Sequence, residues 1–303
     1  MPRALKFILY PLLFLFSFVV FLYWMFPYDA VKERVIGMIE SGIGGDLEVN
    51  IDSLEPYWFS GVDLSGLTIA PPGGGKAKAL IKVNRVRARA GIFSLIFKSP
   101  SVSFDVEMGD GEISGTVRQS EDTIAVESRL DDIDLSNLRF ISVQTGLNLS
   151  SRIDGRVSLR VDRQNPIRSS GSVTLELMDL KIKASELKVA GAEMPLPELV
   201  FAKGRESRVK LDIGRGTVTF EDLKLTGGDL GLDIKGKLFL SSRAENYRFN
   251  LNGSFTVTEK LSEAFPFLFI VEQQKQEDGS YPLSVTGRLA RPSIKIGTFT
   301  VPL

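Results

Sequence analysis

The sequence predicts a mainly β protein in which a single N-terminal transmembrane helix precedes a body of antiparallel strands. Two observations lead to this prediction. Residues 7–26 contain no charge, and as a helix they are long enough to cross the roughly 30 Å hydrocarbon core of a bilayer. From Leu47 to Ile296, apolar and polar residues alternate in many short runs. A period of two is typical of strands with one buried face.

The uncharged run divides the chain into four predicted parts. Residues 1–6 form a cytoplasmic N-terminus, 7–26 the anchor, 27–46 a juxtamembrane helix and 47–303 a β domain on the far side of the membrane. Arg3 and Lys6 precede the run without an acid, which keeps the N-terminus in the cytoplasm. A signal peptide would have a shorter apolar region and a small-residue cleavage site. The predicted anchor residues are Phe7, Leu12, Phe16, Val20, Tyr23 and Trp24.

The composition argues against most enzyme classes. The chain has no histidine and no cysteine, which removes imidazole bases, thiol nucleophiles and the common zinc sites. The chain has 37 basic residues (lysine plus arginine) and 37 acidic residues (aspartate plus glutamate). It therefore lacks the basic excess that would indicate a nucleic-acid partner. We therefore expect a binding protein that uses no cofactor, no metal and no catalytic residue.

Local patterns predict several elements of the body. Val31, Val35 and Ile39 recur at helical spacing after the anchor, and this helix either packs on the first strands or lies on the membrane surface. Gly109-Asp110-Gly111 predicts a hairpin turn. Asp134 or Ser136 is expected to cap a short helix that ends at Gly146. Between Gly155 and Thr258, glycines precede alternating runs, and a change of parity near Met178 predicts a β-bulge.

Three groups of residues are candidate contacts for lipid or a partner. Tyr57, Trp58 and Phe59 lie together beside a turn, where aromatic residues either plug a core, form a hairpin tip, or contact lipid or a partner. Arg85, Arg87 and Arg89 share one face of a strand. That face is either solvated and opposite acidic neighbours such as Asp105 and Glu107, or it binds anionic headgroups or an acidic partner. The most apolar segment after the anchor, 261–271, is either a core-capping helix, a buried strand or a contact surface. Its candidate residues are Phe265, Phe267 and Phe269.

Several segments resemble the type II secretion system protein N family. They are the anchor, DLEVNIDSLEPYWFSGVDLSGLTI, VRARAGIFSLIFKSPSVSFDVEMGDGEISGTV, LDDIDLSNL and YPLSVTGRLARPSIKI. The anchor and first strands are also similar to those of AsmA-like envelope proteins. These resemblances imply a bacterial inner-membrane protein with its body in the periplasm. They also imply an elongated, curved antiparallel sheet that forms an open groove or an incomplete barrel.

Three functions remain open at this point, of which two are binding functions and one is enzymatic. The first is an accessory component of a type II secretion system that contacts other components of that system. The second is an AsmA-like module that binds or transfers lipid in an apolar β groove. The third is an anchored hydrolase that uses paired carboxylates, for which the sequence offers only scattered Asp and Glu residues.

Overall fold

A single open antiparallel sheet dominates the computed structural model, so the protein is mainly β. The structure describes residues 13–14, 17, 28–43, 47–58, 60–75, 79–91, 100–145, 147–189, 192–196, 198–264 and 266–301. Within these residues, no helix is both long enough and apolar enough to cross a membrane. The predicted anchor lies almost wholly outside the described residues.

The strands follow one another along the chain with short turns between them. The first nine are β1 Glu48–Asn50, β2 Ser53–Tyr57, β3 Gly61–Ala70, β4 Ile81–Ala90, β5 Ser101–Met108, β6 Gly111–Gln119, β7 Thr123–Asp134, β8 Leu149–Asp162 and β9 Ser170–Ile182. The others are β10 Ser185–Val189, β11 Ala192–Leu196, β12 Leu199–Val200, β13 Ser207–Gly214, β14 Thr217–Leu225, β15 Leu230–Phe239, β16 Arg248–Val257, β17 Tyr281–Arg288, β18 Arg291–Ile296 and β19 Phe299–Val301.

The sheet is a meander in which each strand pairs with its neighbours in sequence. β1 and β2 both pair with β3, and the order then continues strand by strand to β9. β10 and β11 form a separate hairpin, after which β12 and β13 pair with β9 and the meander runs on to β19. Alternating sequences joined by tight turns favour this arrangement, because consecutive antiparallel strands need only a short connection.

Within the described part from residue 28 onward, three α-helices accompany the sheet. They are α1 Tyr28–Ile43, α2 Arg139–Thr145 and α3 Glu259–Ala264. Single 3-10 helices span Leu135–Asn137, Pro166–Arg168, Ala244–Asn246 and Pro266–Gln274. Of the alternatives for α1, the structure has the packed one, because Val31 and Val35 contact the buried residues Ile51, Leu54 and Leu64. Asp134 caps the first 3-10 helix by accepting a hydrogen bond from the Ser136 N–H at 2.8 Å.

Several local predictions are confirmed. β5 and β6 form a hairpin in which Met108 pairs with Gly111 across the two intervening residues. The register of β8 against β9 shifts between Ser150 and Arg152, opposite Met178, and Asp179 has a φ of +51°. This is the bulge that the parity change predicts. It matters because it lets β9 pair with β13 on one side of the bulge and with β12 on the other.

Nine of the buried side chains among the described residues form three small clusters. One joins Ile182, Leu199 and Leu261, a second lies under α1, and a third joins Phe255, Val271 and Tyr281. Other buried side chains lie near the same end of the strands as the first and third clusters, among them Val83, Met108, Ile133, Ile153 and Met178. Cover on the described part of the sheet is therefore concentrated over its first strands and at that end of the later strands, and much of one sheet face carries no covering element among the described residues.

Candidate functional site

One face of the sheet carries a continuous row of apolar residues, which we call the apolar row. Directly paired residues of antiparallel strands project from the same face, so the strand registers define the row without further assumption. From β3 to β9 it consists of Val62, Ala88, Phe104, Gly115, Ser128, Val157 and Val173. From β13 to β19 it continues through Leu211, Phe220, Gly236, Leu251, Val285, Ile294 and Val301.

The apolar row is long and contains no charge. Strands lie about 4.8 Å apart, so the row extends on the order of 60 Å across the sheet. Ser128 is its single hydroxyl. Neighbouring rows on the same face are also apolar, for example Val86, Val106, Ile113 and Leu130. The feature is therefore a broad apolar surface, which we call the apolar face.

Most of the apolar face has no layer over it among the described residues. Val157, Val173, Leu211 and Phe220 are half-buried, and none of them belongs to a buried cluster. Their partial burial comes from neighbouring side chains on the same face. At Gly115 the Phe104 ring fills the space above the backbone, with its Cζ only 2.7 Å from where a Cβ would lie. Contiguous apolar surface of this extent usually marks an interaction site.

The opposite face is polar along its whole width. The residues adjacent to the apolar row, alternately one position after and one position before it on successive strands, form a row that we call the polar row. It contains Arg89, Ser103, Thr116, Glu127, Ser158, Ser172, Asp212, Thr219, Lys237, Asn250, Thr286 and Ser293. Most of these side chains are exposed. The sheet thus separates an apolar face from a solvated one, as a one-sided strand pattern dictates.

Two of the three predicted arginines are neutralised by carboxylates. Arg85 donates to both oxygens of Asp63, with Nε at 2.8 and 3.0 Å. Arg87 lies 3.6 Å from Asp63 and 3.3 Å from Glu107. The hydrogen bond from Arg85 and the charges of both arginines hold the pKa of Asp63 below its ordinary value, against the effect of burial. Arg89 is exposed and has no ion pair to a described carboxylate.

A groove of about 950 Å³ lies on the polar face between β6 and β9. Within it, Arg129 Nε donates to Asp131 at 2.7 Å, and this hydrogen bond lowers the Asp131 pKa. The described carboxylates with a clear pKa shift all have a lowered pKa, whereas a general acid needs a raised one. No group of three metal-ligating side chains forms within the described ranges. This groove therefore has the character of a solvated surface.

The predicted aromatic group lies at an outer strand. Tyr57 ends β2, is half-buried, and has the Arg87 guanidinium carbon 5.9 Å from its ring centroid. Trp58 is 65% exposed, and its φ of +54° is uncommon for a bulky residue. Phe59 lies outside the described residues. Tyr57 is thus held against its neighbours, whereas Trp58 projects from the sheet.

The segment 261–271 is helical, so the strand alternative is wrong. It runs through α3 and the 3-10 helix Pro266–Gln274, where Val271 is buried against Phe255 and Tyr281. Phe269 is 71% exposed and Ile270 49% exposed. Phe265 and the Phe267 side chain lie outside the described part. The segment therefore covers one end of the apolar face with one side and presents Phe269 on the other.

The structure does not bring the three predicted groups into one site. Tyr57, Trp58 and the arginines lie on β2 and β4, whereas Phe269 lies near β16 and β17. The anchor residues Phe7, Leu12, Phe16, Val20, Tyr23 and Trp24 are outside the described residues. Sequence reasoning missed the apolar row as a unit, although the glycine-led alternating runs contain its members. Comparison of the chain with protein-family models, curated proteins and solved structures finds no match.

Proposed function

We propose that this protein binds the acyl chains of lipids along its apolar face. The continuous apolar row carries the proposal. Acyl chains need no hydrogen-bond partners, and the row offers almost none, because its backbone groups are paired in the sheet. A typical protein–protein interface differs from this row, because it has a polar rim and several hydrogen bonds. In the proposed function, the protein binds lipid and uses no catalytic residue or cofactor.

The proposal includes a membrane location and a groove. An N-terminal anchor at residues 7–26 would hold the body at the periplasmic side of a bacterial inner membrane, as the sequence resemblance implies. Bulges in β7, β9 and β14 support a curved sheet, because a bulge bends the strand that carries it. A row on the order of 60 Å is about twice the thickness of a bilayer's hydrocarbon core. It could therefore hold several acyl chains.

A photo-crosslinking residue placed on either face tests this proposal. At Val157, on the apolar row, a benzophenone side chain in cells should yield a product with the added mass of a phospholipid. At Ser158, the adjacent exposed residue on the polar row, it should yield none. Capture of a protein at Val157, or equal lipid capture at both positions, would overturn the assignment.

A second candidate is the accessory role in type II secretion, through protein–protein contacts. The open edge of the sheet favours it: β19 pairs with β18, and no described strand pairs with its other edge. Such an edge presents unpaired backbone groups that can accept a strand from a partner. A crosslinking residue at Thr300 on β19 should then capture a component of the secretion machinery. Loss of secretion after deletion, with unchanged envelope lipid, would favour this candidate over the first.

A further inference from the structure

The two ends of the strands differ in how much of the sheet is covered by helices. At the capped end lie α2, α3, the 3-10 helix Pro266–Gln274 and most buried side chains, such as Met108, Ile182 and Tyr281. At the other end, which we call the hairpin end, the strands are joined by the turns 120–122, 163–169, 215–216, 240–247 and 289–290. Apart from the first residues of α1 over β2 and β3, no α-helix covers the described part of the hairpin end.

Exposed large apolar side chains lie at both ends of the strands, with Val143 and Phe269 at the capped end and a separate set at the hairpin end. Trp58 is 65% exposed, Phe239 43%, Leu289 45% and Ile167 38%. They occupy the last residue of β15 and three separate turns, so they are spread along the rim of the sheet. Exposure of large apolar side chains on turns costs free energy in water, and it is common where a surface enters a membrane interface.

Arginines lie between these apolar side chains. Arg160, Arg163, Arg168, Arg215 and Arg243 are exposed at the hairpin end, and none forms an ion pair with a described carboxylate. The acids of this end are fewer, and two of them serve the turn itself. Asp162 accepts hydrogen bonds from the backbone N–H groups of 164 and 165, and Asp122 accepts one from Gln164. The hairpin end therefore carries a local positive charge within a neutral chain.

Three arginines lie directly opposite one another on adjacent strands. Arg248 of β16 pairs in register with Arg288 of β17, and Arg288 pairs with Arg291 of β18. Directly opposed residues have Cβ atoms only about 5 Å apart, and like charges at that distance destabilise a sheet. No described carboxylate lies within ion-pair distance of this arginine triplet. Arg248 and Arg288 line a groove of about 780 Å³ together with Phe239 and Phe249.

The direction of α1 places its first residue, Tyr28, at the same end. Glu40, near the end of α1, accepts a hydrogen bond from the Val49 N–H, and Lys32 donates to the Asp52 carbonyl. The helix therefore runs antiparallel to β1 and β2, and it begins at Tyr28 on the side where β2 reaches Trp58. The described helix thus begins on the side of the hairpin end.

We propose that the hairpin end docks on an anionic lipid bilayer, with the arginine triplet binding lipid phosphate groups. Guanidinium groups bind phosphate through paired hydrogen bonds, which would relieve the repulsion within the triplet. Trp58, Phe239 and Leu289 would enter the interface between headgroups and acyl chains. The proposal does not require lipid on the apolar face. In this orientation, however, the strands run roughly perpendicular to the membrane plane, and the apolar face extends away from the membrane surface.

The absence of cysteine makes a direct test practical. The full chain would carry one cysteine, Leu289→Cys at the hairpin end or Glu277→Cys at the capped end, labelled with a fluorophore and reconstituted in vesicles containing quencher-bearing lipid. We expect quenching at position 289 to be several-fold stronger in phosphatidylglycerol vesicles than in phosphatidylcholine vesicles. Position 277 should be quenched little in either. The phosphatidylcholine vesicles control for proximity caused by the N-terminal run alone.

A triple variant, Arg248→Gln, Arg288→Gln and Arg291→Gln, tests the role of the arginines. It should lower the docking equilibrium constant by on the order of a hundredfold, because each basic residue contributes separately near an anionic surface. Its melting temperature should be unchanged or higher, since the repulsion between like charges is removed. Undiminished quenching in this variant would overturn the proposal.

Two further outcomes would assign the triplet to a different ligand. If millimolar inorganic phosphate at constant ionic strength abolishes the quenching at position 289, the triplet prefers free phosphate to lipid phosphate. If quenching needs co-reconstituted membrane proteins, the partner is a protein. Either result would overturn lipid phosphate as the ligand of the triplet. Lipid capture at Val157 is measured separately, so the two proposals can fail independently.

Discussion

At the scale of single residues, Asp229 connects three separate elements. Its carboxylate accepts hydrogen bonds from the Val200 N–H at 2.8 Å and the Thr258 hydroxyl at 3.2 Å, and Lys260 lies 3.4 Å away. Burial raises the Asp229 pKa, but the hydrogen bonds from Val200, Lys260 and Thr258 together lower it below its ordinary value of 3.8. The charged form is therefore stabilised in the folded protein.

The sign of this pKa shift makes a prediction about stability and pH. A lowered pKa in the folded state contributes stability above the unfolded pKa, and this contribution is lost as the pH falls below about 4. Asp229→Asn should lower the free energy of unfolding at pH 7 by about 1–2 kcal/mol. The difference from the parent should shrink at pH 3 in urea titrations. Asp110→Asn, in an exposed turn, is the control; an effect of equal size there would contradict the assignment.

Gly236 is required by the backbone of β15. Its φ is +143°, and an added Cβ would lie 2.3 Å from the Asn250 carbonyl oxygen and 2.7 Å from the Leu251 Cα. Because both neighbours are backbone atoms, Gly236→Ala should destabilise the protein by about 2 kcal/mol or more. At Gly214 nothing lies within 4 Å of the added atom, so Gly214→Ala should change the free energy by less than about 0.5 kcal/mol. Equal melting temperatures for the two variants would refute this reading.

At the scale of elements, the segment 259–274 has a buried and an exposed side. Val271 is 4% exposed and contacts Phe255 and Tyr281, whose rings stack with centroids 5.0 Å apart. Val271→Asp should therefore lower the free energy of unfolding by about 3 kcal/mol or more, since a charge would enter an apolar cluster. Phe269→Asp, at a residue 71% exposed, should leave the thermal transition nearly unchanged. If the two variants have the same melting temperature, the segment does not cover the sheet as described.

Elements determined by local chemistry were predictable from the sequence. The turn after Met108, the cap at Asp134 and the bulge at Met178 depend on residues within a few positions of one another. The sequence of 261–271 is compatible with a helix and with a strand, because a short apolar run fits either structure, and the contact of Val271 with Tyr281 decides between them. The sequence predicts acidic neighbours of Arg85 on the next strand, but Asp63 on the preceding strand binds it.

At the scale of the whole molecule, the candidate sites depend on register between distant residues. Arg248, Arg288 and Arg291 meet only because the lengths of two connections bring them opposite one another. The apolar row likewise needs every register from β3 to β19 to agree. Alternation predicts that a strand has an apolar side, but it does not tell which residue of one strand lies beside which of the next. The mainly β class was therefore predictable, whereas the two surfaces were not.

The meander topology also determines how such a protein can change in length. Because neighbouring strands in the sheet are, with few exceptions, neighbours in sequence, inserting one hairpin moves the later strands outward without altering their pairing. Two strand spacings add about 10 Å to the apolar row and preserve its face. Insertion of a single strand would reverse the direction of every later strand and bring the hairpin-end arginines to the opposite end. The width of the apolar surface can thus evolve in steps of one hairpin, while the end with the arginines keeps its orientation.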